Sequence, residues 1–166
     1  MVKGEKLCEF KNGKSYGKEY DEQNELIYEG EFLDGKYGGK GKKYNNKQLI
    51  YEGEFKDGKR NGEGKEYSYE GILEYEGNFL NGMKHGYGKE YNIDQNSLMY
   101  EGDFIEDIKN GFGKVYELNN NLIYEGGICN SKTHGKGKEY NTKGEIIFEG
   151  NFYMVKNGLE YGKIMA

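Results

Sequence analysis

Residues 51–67 read YEGEFKDGKRNGEGKEY, and nearly the same string returns at 28–44 (YEGEFLDGKYGGKGKKY) and at 75–91 (YEGNFLNGMKHGYGKEY). Taking Tyr51 as position 1, equivalent starts fall at Tyr28, Tyr75, Tyr100, Tyr124 and Phe148, spaced 23–25 residues apart. A period of that length marks stacked supersecondary units, so the repeat decides the fold before composition does. Degenerate copies close both ends, CEFKNGKSYGKEY (8–20) and FEGNFYMVKNGLEY (148–161), as terminal caps of a stacked array do.

Within one unit, Leu49, Tyr51, Gly53 and Phe55 alternate with Ile50, Glu52 and Glu54. A period of two predicts a strand with aromatics on one face and acids on the other. The glycine between the two aromatics leaves room for a neighbouring ring to lie flat on the backbone. A polar loop (KDGKRN), a short second strand carrying Gly-x-Gly-x-x-Tyr and a polar return turn (NNKQ) complete a β-hairpin. The face taken by Tyr67 and its equivalents depends on hairpin register, which the sequence leaves open. One hairpin buries two rings, worth roughly 3–6 kcal/mol. Ordering its residues costs on the order of 1–2 kcal/mol each, so stability must be collective. The expected fold class is all-β: an elongated single-layer antiparallel β-meander solenoid of stacked β-hairpins. Its expected units are 6–27, 28–50, 51–74, 75–99, 100–123, 124–147 and 148–166 of one array.

The composition agrees. Seventeen Tyr and eight Phe set the chain apart from disordered sequences of similar charge, and 28 Gly with no Pro assign the turns to glycine. A formal charge of −5 with interleaved signs offers no basic patch for nucleic acid. No apolar run reaches membrane-spanning length, and the first residues form no apolar leader segment, so a cytoplasmic protein is expected.

The string YEGEF…G…GxGxxY resembles the MORN (membrane occupation and recognition nexus) repeat over about residues 6–161, with some resemblance to bacterial YwqK-type repeats around DGKRNGEGKEYSYEGIL. Phe stands at the fifth position, where that family often carries Trp. The resemblance implies an array of hairpins with a groove, acting as a scaffold or adaptor, often beside membranes or cytoskeleton and sometimes holding a partner helix. Many proteins of that family attach the array to a catalytic domain; none is expected in this sequence.

The aromatic ladder Tyr28, Phe32, Tyr51, Phe55, Tyr75, Phe79, Tyr100, Phe104, Tyr124, Phe148 and Phe152 is core at strand spacing and also a candidate surface, because a single layer leaves one side of its rings uncovered. Tyr87 and Phe112 stand in a column occupied elsewhere by Lys40, Glu63 and Lys136, which makes the central units the most apolar. The expected partner-binding residues are therefore Tyr75, Phe79, Tyr87, Tyr100, Phe104 and Phe112, lining an aromatic groove that receives a protein helix or peptide.

His85 and His134 at position 11 alternate with Gly38, Asn61 and Asn110, a set that tolerates positive φ, so they are expected to serve the loop rather than a metal. The Gly39-x-Gly41 pairs lack the spacing of a phosphate-binding loop. The Lys42, Lys65, Lys89, Lys114, Lys138 and Glu29, Glu52, Glu76, Glu101, Glu125, Glu149 columns are expected to pair across strands, leaving lipid binding a minor alternative. Cys8 and Cys129 lie five repeats apart, too far for a disulfide in a linear array, and suit a reducing compartment. The closing segment 152–166 is expected either to cap the last strand or to pair with a second copy as a homodimer. No acid, base or nucleophile departs from repeat order, so no enzyme, cofactor or metal is expected. A bacterial immunity or antitoxin-like inhibitor is the remaining alternative.

Overall fold

The computed structural model describes residues 3–9, 13–154 and 161–165, with the backbone alone for 3–9, 154 and 161–165. The chain divides into two compact units, Met1–Met83 and Lys84–Ala166. The first contains β1 (Lys3–Glu9), β2 (Lys14–Tyr20), β3 (Leu26–Leu33), β4 (Lys36–Asn45), β5 (Gln48–Lys56), β6 (Lys59–Tyr67) and β7 (Leu73–Leu80). The second contains β8 (Met83–Asn92), β9 (Ser97–Ile105), β10 (Ile108–Tyr116), β11 (Leu122–Cys129), β12 (Lys132–Tyr140), β13 (Ile146–Met154) and β14 (Tyr161–Met165). Within each unit every strand pairs antiparallel with its sequence neighbour, and the described residues hold no helix. The fold is an all-β meander of hairpins.

Two residues make the tight end of each hairpin. Asp34-Gly35, Asp57-Gly58, Glu106-Asp107 and Asn130-Ser131 all have positive φ, 51° and 80° at Asp57 and Gly58. This is the turn whose twist matches that of the flanking strands. The polar loop expected over KDGKRN is thus a two-residue turn, and Lys59–Asn61 already belongs to β6. At the return ends a side chain often organises the loop: the Asn141 carboxamide oxygen accepts the N–H groups of Lys143 and Glu145 at 2.9 and 3.0 Å.

Bulges set the register. In β5–β6, Gly53 pairs with Gly64 but Phe55 pairs with Arg60, so Asn61, Gly62 and Glu63 oppose Glu54 alone. The kink is taken at position 12, where Gly39, Gly62, Gly86 and Gly135 have φ near 70–80° (72°, 78°, 71° and 69°). Position 11 does not carry it: Asn61, His85, Asn110 and His134 are absent from the positive-φ residues, which corrects the expectation drawn from their residue types. A second bulge pairs Glu66 with Tyr75 and Tyr67 with Leu73. It moves Leu49, Leu73, Leu98 and Leu122 off the ring face onto register positions opposite Tyr44, Tyr67, Tyr91 and Tyr116, against the simple alternation.

The position-1 rings form the core. Tyr51 lies over the facing glycines Gly53 and Gly64, and its hydroxyl donates to the Glu54 carbonyl at 3.0 Å. The arrangement repeats with Tyr28 on Glu31 (2.8 Å) and Tyr75 on Asn78 (3.0 Å) in the first unit. In the second, Tyr100 donates to Asp103 (3.0 Å) and Tyr124 to Gly127 (2.8 Å). The glycine requirement is steric: a Cβ on Gly64 or Gly113 would collide with the ring of Tyr51 or Tyr100. The ring flat on the backbone belongs to the strand's own tyrosine, two residues before the first glycine. Position-5 rings then meet it edge-on from both sides. Tyr28–Phe32 and Tyr28–Phe55 centroids lie 5.1 and 5.3 Å apart, and Tyr51–Phe79 and Tyr124–Phe152 lie 5.2 and 5.0 Å apart. Each such pair adds about 0.5–1.5 kcal/mol beyond its burial.

Candidate functional site: the two faces of the hairpin sheets

Position 10, the second residue after the tight turn, shares the ring face, and in three hairpins its side chain covers the tyrosine from outside. Tyr37 stacks on Tyr28 at 3.7 Å and 5°. The Arg60 guanidinium sits 5.6 Å from the Tyr51 centroid and 4.9 Å from that of Phe79. In the second unit the Lys109 ammonium stands 4.9 Å from the Tyr100 centroid. These cations meet acids at position 16: Arg60 pairs with Glu66, while Lys84 (3.5 Å) and Lys109 both reach Glu90. Arg60 also donates to the Gly82 carbonyl at 3.1 and 2.7 Å, so the cleft of about 490 Å³ beside it is bordered by a guanidinium already taken up. Desolvation is the main cause that pushes the ring-face phenols of Tyr28, Tyr37, Tyr51 and Tyr100 well above the ordinary 10.0, and Tyr124 up to about 12.

Within the second unit the expected groove residues Tyr87, Tyr100, Phe104 and Phe112 therefore do not share one surface. Tyr75, Phe79, Tyr100 and Phe104 are buried, at 0–3% exposure, under the chain's own side chains. Tyr87 pairs with Asp103 and Phe112 with Gly127, which puts both on the opposite face, where they are 50% and 54% exposed. The premise that a single layer leaves its rings half covered fails where position-10 side chains turn back over them, as Tyr37, Arg60 and Lys109 do over Tyr28, Tyr51 and Tyr100. The sequence signal was a long side chain at that position in four units (Tyr37, Arg60, Lys84, Lys109), with glutamate six residues on in the units of Arg60 and Lys84.

The opposite face is built on ion pairs. Lys18–Glu29, Lys42–Glu52 and Lys65–Glu76 approach to 3.7, 3.8 and 3.6 Å in the first unit, and Lys114–Glu125 and Lys138–Glu149 to 3.9 and 3.3 Å in the second. The bulge also places the position-17 tyrosines here. Tyr67, Tyr116 and Tyr140 donate to Glu52, Glu101 and Glu125 at 2.7, 3.3 and 3.2 Å. The position-4 acids hold the first bulge together: Glu31 accepts the Lys40 N–H at 3.1 Å and Asp103 the Phe112 N–H at 2.9 Å. Around Tyr87, its hydroxyl donates to Glu101, and that bond is the main reason the Glu101 carboxyl sits low and the Tyr87 phenol is pushed up to about 12.

The remaining candidates are quickly placed. Among the described residues no group of three or more His, Cys, Asp or Glu could hold a metal ion, and no helix is long and apolar enough to cross a membrane. Cys129 is a free thiol, while the Cys8 side chain lies outside the described residues. Of the closing segment, residues 161–165 pair with β13, Gly150 opposite Met165, and 155–160 lie outside the described residues.

The family model of the MORN repeat matches residues 28–47, 51–72, 75–97 and 100–116, starting at the four tyrosines that open the units above. Comparison with curated proteins returns no match.

Proposed function

The chain belongs to the MORN repeat family, a family of protein- and membrane-interaction modules rather than enzymes, and from that premise we propose that it is a non-catalytic scaffold that docks a partner protein on the ion-pair face. The observation that carries this is the exposure of two aromatic rings, Tyr87 and Phe112, among the ion pairs of that face within the second unit. Half-exposed aromatic rings ringed by paired charges are the composition of an interface centre with a polar rim. The ring face supports docking less well, since Tyr37, Arg60, Lys84 and Lys109 already fill the place a partner helix would take. The lysines of the ion-pair face are matched by glutamates, so the face offers little net field to an anionic bilayer.

The test is affinity capture with the full chain and with the Tyr87→Ser/Phe112→Ser variant. The variant should keep its thermal transition and lose a protein retained by the wild type, by about tenfold or more. Equal retention by both chains would remove this face from the proposal. Flotation with anionic vesicles at low salt, independent of protein partners, would replace it by the lipid reading.

A further inference from the structure

The ion-pair face contains an unbroken row of glycines. In the second unit Gly102, Gly113, Gly126, Gly137 and Gly150 face one another strand by strand. On the ring face tyrosines lie across these pairs. On the other face the row is a bare backbone floor unless a position-13 side chain covers it.

The chain itself shows what covers it. In the first unit Tyr16 pairs with Glu31, Gly17 with Gly30 and Lys18 with Glu29, and the Tyr16 hydroxyl donates to Glu29 at 3.2 Å. To reach a residue two places along, the ring must cross the glycine pair. Lys18 meets the other oxygen of the same carboxylate at 3.7 Å. In the second unit Tyr87 repeats the arrangement over Gly88 and Gly102, with its hydroxyl on Glu101. At Gly137 and Gly150 the covering residue is Lys136, and the next position-13 ring along is Phe112, which has no hydroxyl and faces Gly127 instead of an acid. A trough of about 400 Å³ is left there, walled by Phe112, Lys136 and Asn151, floored by the glycines and rimmed by Glu149. Glu149 is met by Lys138 through one oxygen at 3.3 Å, and among the described residues its second oxygen takes no hydrogen bond.

We propose that this trough takes the phenol ring of a tyrosine side chain presented by a partner protein, laid flat across Gly137 and Gly150 with its hydroxyl donating to Glu149. It rests on the docking reading above and names the side chain that the docked partner supplies. The glycine floor fits a planar ring, because any Cβ along it would be in the way. The carboxylate acceptor selects a donor at the ring's far end, which tyrosine has and phenylalanine lacks. The Lys138 ammonium beside the acceptor reproduces the Lys–Glu–Tyr set seen at Glu29.

The experiment is an NMR titration of the full chain with N-acetyl-tyrosinamide and, separately, N-acetyl-phenylalaninamide. The tyrosine derivative should shift the Gly126, Gly137 and Gly150 amides, and bind about 3–10-fold more tightly than the phenylalanine derivative, the margin one net hydrogen bond gives at a solvent-open site. Lys136→Tyr should fill the trough with the chain's own ring and abolish those shifts. Glu149→Gln leaves the trough open and keeps only a neutral acceptor, so it should narrow the margin between the two derivatives, which keeps the test alive should the first variant fold poorly. Absent glycine shifts, equal binding of both derivatives to the wild type, or unchanged tyrosine preference in Glu149→Gln would each overturn the proposal. Because these readouts need no partner, a trough that binds phenol in a chain whose Tyr87→Ser/Phe112→Ser variant still captures its partner separates failure of the docking surface from failure of the trough.

Discussion

Tyr51 and Tyr87 are both tyrosines on strands of the same kind of hairpin, each lying over a facing pair of glycines, yet one is 1% exposed and the other 50%. The difference is what lies beyond the ring. Tyr51 has glycines beneath, Phe55 and Phe79 edge-on at 5.0 and 5.2 Å, and Arg60 over it. Tyr87 has the same kind of floor but is held at its tip by Glu101, with half of the residue open to solvent. One face of the hairpin sheet is a core that the chain completes for itself; the other is a surface with rings on it.

High pH should break that contrast most thoroughly. Burial raises the folded-state values of Tyr28, Tyr37, Tyr51, Tyr100 and Tyr124 above the ordinary 10.0. A group whose proton is held more tightly in the folded state contributes its full stability below the unfolded value. That contribution is lost as pH rises through the folded one. Stability should therefore be flat up to about pH 9 and fall steeply above pH 10 as several phenols ionise together on unfolding. Circular dichroism and tyrosinate absorbance followed together should change in one step; gradual ionisation of all tyrosines in an intact fold would contradict the enclosed ring face.

Tyr51→Ala comes next. It removes a ring packed on all sides and should cost about 3–5 kcal/mol, read as a shift in the urea midpoint. Gly64→Ala should follow at about 1–3 kcal/mol, because the new methyl must displace the Tyr51 ring from its floor. A neutral result there would mean that the ring does not need close contact with the backbone. On the other face, Tyr87→Ser should lie within about 0.5 kcal/mol of wild type in the same measurement. The ratio between the Tyr51 and Tyr87 effects is the sharpest statement of the comparison.

Much of the fold was legible because its signals are local. Tyr-Glu-Gly-x-Phe sets a strand, the polar stretch before Gly-x-Gly a hairpin connection, and a spacing of 23–25 residues the repeat. Bulges were not legible, since one extra residue between Leu49 and Tyr51 leaves the alternating pattern intact while moving the leucine to the other face. The same limit hid the site. Tyr87 and Tyr100 both read as aromatics at strand positions, and only the pairing of Tyr87 with Asp103 and of Tyr100 with Glu90 sets them on opposite sides. The position-4 acids Glu31 and Asp103 carried no signal of their own in the sequence, although their carboxylates hold the N–H groups that the bulge frees.

By itself the sequence determined that this chain is a MORN-type array of β-hairpins, because the residues that make strands, turns and glycine-floored ring seats act within a few positions of one another. Which rings are core and which are surface was decided only by tertiary structure. A position-10 side chain covers a tyrosine nine residues earlier in the chain, and strand register, a property of two strands at once, assigns every ring its face.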